Sequence, residues 1–101
     1  MNFASKPNFR LGRILITPGA LSALSKSNQD PNIFLRRHQS GDWGDLCGED
    51  KQSNDEAVAN EGQPEKQQRV MSSYKTSKGE VIWIISEHNR SSSTLLLPEE
   101  Y

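Results

Sequence analysis

The chain has 101 residues, a formal net charge of −1, a mean hydropathy of −0.77 and only 33% apolar residues. That length supports one domain with a modest core. A lone cysteine, Cys47, excludes an internal disulfide framework, no apolar run is long enough to span a bilayer, and near-neutrality favours neither nucleic acid nor membrane as partner.

Residues 1–9 carry Pro7 and two phenylalanines without a period, which reads as a loose arm whose Phe9 can dock on the core of a domain over 10–101. Residues 11–17 (LGRILIT) form a short strand. Thr17-Pro18 then opens a helix, because a threonine oxygen caps free amides and proline suits the first helical position. Asp30-Pro31 repeats the device, with Ile33, Phe34, Leu35 and His38 following and Gly41 placed to end the second helix in a left-handed turn. Asp42 is a third possible cap, setting Trp43, Leu46 and Cys47 on one side of a further turn. Residues 48–68 are polar and expected to be mobile, with a weak helix over 53–61.

Residues 69–76 alternate as a half-buried strand, and Ser77-Lys78-Gly79 turns the chain. The densest apolar run, Val81-Ile82-Trp83-Ile84-Ile85, reads as a central strand with both faces covered. A final strand over 93–97 stops at Pro98. The expected fold is α+β: a small antiparallel sheet, made of the N-terminal strand and a C-terminal three-stranded meander, packed against short helices from the middle of the chain.

Charge is unevenly placed: six bases against one acid over 1–41, one against eight over 42–65, and five against four over 66–101. Residues 41–45 (GDWGD) are the most unusual local chemistry and have two readings. In one, Gly41 and Asp42 shape a turn while Trp43 packs inward with its N–H partnered. In the other, Trp43 anchors a protein partner and Asp42, Asp45, Glu49 and Asp50 supply charge complementarity, a carboxylate array able to imitate nucleic-acid phosphates. Arg36 and Arg37 mark the alternative of a nucleic-acid-binding regulator using the basic N-terminal half.

Cys47 with His38 or His88 lacks the third group of a nucleophilic triad and the spacing of a zinc site, so neither catalysis, a metal nor a cofactor is expected. Nothing near the N-terminus reads as a signal peptide, and a cytoplasmic address follows. An exposed strand edge, first or last, offers a homodimer contact.

Three segments taken together, 13–21 (RILITPGAL), 38–46 (HQSGDWGDL) and 95–101 (LLLPEEY), resemble short bacterial proteins of plasmids and genomic islands. These are often labelled "plasmid-related protein" or, loosely, "type I restriction endonuclease subunit M". The methyltransferase sense of that label fails on the residues: there is no glycine-rich cofactor loop in a doubly wound sheet, and no polar-Pro-Pro-aromatic loop for a flipped base. The resemblance implies carriage on mobile elements and a role as an accessory protein, such as an inhibitor of a host CRISPR or restriction complex.

Overall fold

The computed structural model describes residues 7–101. Strand β1 (Arg13–Ile16) leads directly into helix α1 (Pro18–Ser27). Thr17 caps that helix through the Ala20 amide, and Asn28, at φ 54°, closes it in the left-handed region. Helix α2 (Pro31–Gln39) opens on Asp30, whose carboxylate accepts from the Asn32 amide. Both helices thus begin where a cap precedes a proline, as the sequence dictates.

Helix α3 (Gly48–Ala59) starts earlier than the 53–61 window and gives the polar stretch a defined form. Its inner side is thin: Asn54 and Ala57 are buried, and little else on it is apolar. Asn54 compensates by hydrogen-bonding both ways to the Met71 backbone, Nδ2 donating to the carbonyl at 2.7 Å and Oδ1 accepting from the amide at 3.1 Å.

Strands β2 (Val70–Lys75), β3 (Val81–Ser86) and β4 (Ser92–Leu96) form the expected meander, and a 3-10 turn (Pro98–Glu100) follows. The sheet order is β1-β4-β3-β2. The α+β class stands, but β1 runs parallel to β4, with Ile14 beside Ser93 and Ile16 beside Leu95, so the sheet is mixed and not wholly antiparallel. The physical reason is the connection: all three helices lie between β1 and the meander, which is length enough for the chain to cross the sheet and return in the same direction.

Alternation along the strands sets the layers. Ile82 and Ile84 of β3, Tyr74 of β2 and Leu95 of β4 face α1 and α2, meeting Ala20, Ala23, Leu24, Phe34 and Leu35 in the main core. Each such leucine, isoleucine or phenylalanine contributes about 1.5–3 kcal/mol by leaving water. On the opposite face Trp83 is half-buried and meets the Tyr101 ring edge-on at 5.9 Å. A second cluster of Phe9, Trp43, Ala57 and Val70 joins the N-terminal arm to α3 and β2.

Candidate functional site

Residues 38–46 form the joint between α2 and the outer edge of β2, and almost every side chain in the joint has a fixed structural partner. Gln39 Nε2 donates to the Phe9 carbonyl, and Ser40 Oγ donates to the Arg37 carbonyl. Gly41 takes φ 88° and turns the chain away from α2. The Asp42 carboxylate accepts from Arg37 Nε at 2.6 Å and from the Gly44 amide at 3.2 Å. That contact with Arg37 holds the Asp42 carboxyl below the usual carboxylate range. The expected helical turn after Asp42 does not form. Instead Ser73 N–H donates to the Trp43 carbonyl at 3.1 Å and Asp45 N–H donates to the Ser73 carbonyl at 2.7 Å, extending the sheet by one bridge.

Gly44 makes that bridge possible. At φ 77° it sits where a Cβ would fall 2.0 Å from the Ser73 carbonyl oxygen, a distance no side chain tolerates. Gly44→Ala is therefore expected to destabilise the fold by roughly 3 kcal/mol or more, combining left-handed strain with loss of the bridge. Calorimetry should show a melting temperature lowered by about 10–20 °C. Gly48→Ala, with nothing within 4 Å of the new methyl, should leave it almost unchanged.

Trp43 is 4% exposed. Its indole lies parallel to Phe9 at 6.3 Å, meets His38 at 5.8 Å, and donates its N–H to Asp55 at 2.9 Å. The reading of Trp43 as a surface anchor is thus overturned: the ring fills the interior behind α3. Of its proposed companions, Asp45, Glu49 and Asp50 are exposed, and Asp42 is engaged by Arg37. Glu56 joins the exposed set, two turns along α3 from Glu49 and on the same face. Arg36 is exposed, but Arg37 lies over the Tyr74 ring at 4.4 Å as well as pairing with Asp42, so the two arginines do not form a free basic pair. Cys47 is exposed at the N-cap of α3.

One constellation escapes a reading of the sequence by motif. His38 is 0% exposed; its Nδ1 lies 2.5 Å from Ser72 Oγ and its Nε2 lies 2.9 Å from Ser86 Oγ, which is in turn 2.6 Å from Ser93 Oγ. Proton directions follow from the far end. Ser93 donates to the Leu11 carbonyl at 2.8 Å, so Ser86 donates to Ser93, the His38 Nε2–H donates to Ser86, and Ser72 donates to Nδ1. This chain is complete with a neutral imidazole. Burial, reinforced by the positive Arg90 nearby, pushes the His38 pKa down to about 3. Ser72 and His38 have the spacing of a nucleophile and its base, but all four side chains are fully enclosed.

A cleft of about 620 Å³ opens between Phe9 and the β3–β4 turn, bordered by Phe9, Arg10, Gln39, Glu61 and Arg90. Its buried cation is already engaged: Arg90 Nε and Nη2 donate to Glu61 Oε1 at 3.1 and 2.8 Å, and Nη1 donates to the Gln68 and Glu87 carbonyls. Those bonds tie the segment after α3 to the β3–β4 turn, and the guanidinium lies over the Phe9 ring of the arm at 5.3 Å. Among the described residues no cluster of His, Cys, Asp or Glu could hold a metal ion, and no helix is long and apolar enough to cross a membrane.

Comparison of the chain with family models, curated proteins and solved structures gives no match. The interior polar groups are committed to the scaffold, and the exposed carboxylates of residues 45–56 are the part of the predicted site still open to a partner.

Proposed function

We propose that the chain is a non-catalytic binding protein that presents Asp45, Glu49, Asp50 and Glu56 to a basic surface on a partner protein. The observation that carries this reading is the exposure of these four carboxylates on a backbone fixed from behind by Trp43, Asn54 and Ala57. Fixed charges of one sign act over roughly a Debye length, about 8–10 Å, and steer association with a surface of opposite sign. The engagement of Arg37 by Asp42 and Tyr74 weighs against the nucleic-acid alternative built on Arg36 and Arg37.

The resemblance of residues 13–21, 38–46 and 95–101 together to mobile-element proteins gives the proposal its finer form: a cytoplasmic accessory factor whose partner is a host defence complex with a groove that normally receives nucleic acid. The test is affinity capture from host lysate with the wild type and with D45N/E49Q/D50N/E56Q. Losing Glu49 and Asp50 from the first turn of α3 costs about 0.3–1 kcal/mol each, so the quadruple variant stays folded with a melting temperature lower by several degrees. The expected result is loss of the captured partner. The same partner in the same amount on the neutralised variant removes the proposal.

A further inference from the structure

The two edges of the sheet are treated differently. On β2, the outward groups of Ser73 are taken by Trp43 and Asp45, and those of Met71 by Asn54. On β1 nothing comparable is present among the described residues. Arg13 N–H donates to the Ser91 carbonyl and Thr17 N–H to the Leu95 carbonyl, so by alternation the backbone groups of Ile14 and Ile16 point away from β4. No proline, bulge or inward charge blunts this edge. Its apolar residues stand open on both faces, Ile14 at 39% and Leu15 at 40% exposure.

We infer that β1 pairs antiparallel with β1 of a second copy, with the twofold axis at Leu15. Only an extended strand satisfies outward N–H and C=O groups while covering side chains on both faces of a sheet. A twofold through Leu15 puts Ile14 and Ile16 of one copy in hydrogen-bonded exchange with Ile16 and Ile14 of the other. It also sets Leu15 against itself in the closer, non-hydrogen-bonded pairing. Pro18, with no N–H, ends the ladder just beyond.

Charge selects this register. It places exposed Arg13 opposite Thr17 of the second copy, on the sheet face shared by residues 13, 15 and 17. Thr17 Oγ1 already donates to the Glu100 carboxylate at 2.5 Å, and that carboxylate also accepts from the Gly19 amide at 3.0 Å. The Arg13 guanidinium therefore meets a carboxylate held in place across the interface, twice by symmetry. A shift of the axis to Ile14 would set Arg13 against Leu15 instead. The dimer is a continuous eight-stranded sheet, and because α3 lies at the far edge beside β2, both carboxylate surfaces stay outward.

Sedimentation velocity on the full chain, from micromolar to about 1 mM, tests the pairing. The expected result is a reversible monomer–dimer equilibrium weakened by added salt. Ile14→Pro removes an outward N–H that β4 does not use, and Leu15→Lys sets two cations together at the axis; each should abolish the dimer while circular dichroism shows an intact fold. Arg13→Glu should weaken it at least tenfold. A wild type that stays monomeric throughout overturns the inference, including when an unrelated extended peptide binds the edge. So does a dimer indifferent to Ile14→Pro and Leu15→Lys. Neither result depends on whether the α3 carboxylates bind a partner.

Discussion

Trp43→Ala should lower the stability of the fold by about 3–5 kcal/mol, the usual cost of removing a buried aromatic ring. The indole is the common wall between Phe9 and His38, and its N–H is the partner of Asp55. Truncation leaves a cavity where the arm, α2 and α3 converge and strips Asp55 of its donor. For a domain of this size the melting temperature should fall by roughly 15 °C or more. Trp43→Phe, which keeps most of the ring but loses the hydrogen bond, should cost about half as much. A surface anchor would behave oppositely, with little change in stability and a large change in partner binding, so a calorimetric scan of the two variants separates the roles.

Acid should have an effect of comparable size. In the unfolded chain His38 titrates near its ordinary value of 6.5, whereas in the folded chain burial holds it neutral down to about 3. The unfolded state therefore takes up the proton first. The stability contributed by neutral His38 is complete above pH 6.5 and is lost progressively as pH falls toward 3, by about 4–5 kcal/mol in all. That is a large part of the 5–15 kcal/mol typical of a whole domain. Asp42, held below its usual range by Arg37, shifts stability in the same direction but weakly, because the pair is half exposed. Urea melts at pH 7, 6, 5 and 4 should show this slope, and His38→Gln should flatten it while lowering stability at neutral pH.

Much of the fold is written in short-range signals. The Thr17-Pro18 and Asp30-Pro31 caps fix two helix starts, Gly41 marks a helix end, and the apolar run of β3 identifies a central strand. These depend on neighbours a few residues apart and survive a reading without coordinates. The direction of β1, the start of α3 and the fate of residues 42–45 depend on partners far along the chain. Local pattern made a helical turn of residues 42–47, but the bond between Trp43 and Ser73, thirty residues on, outcompetes it.

The candidate site was legible only in part. Both readings of Trp43 were chemically sound, and choosing between them required knowing that Phe9 and α3 close over the indole. The His38 chain did leave a trace. Ser72 sits between Val70 and Tyr74, Ser86 follows Ile82 and Ile84, and Ser93 precedes Leu95, each a hydroxyl at an inward position of its strand. Polar residues at core positions demand a partner. His38 meets two of them directly and the third through Ser86, a grouping visible only once the strand pairing is known.

A sealed histidine and serine chain is scaffold, closed to solvent protons and reagents alike. Nitrogen-15 NMR of the two imidazoles from pH 7.5 to pH 4 measures this directly. His38 should remain the neutral Nε2–H tautomer, hydrogen-bonded at both nitrogens, for as long as the protein stays folded. A His38 that takes up a proton near pH 6.5 in the folded chain, or that reacts with an imidazole-modifying reagent as readily as His88, would contradict it.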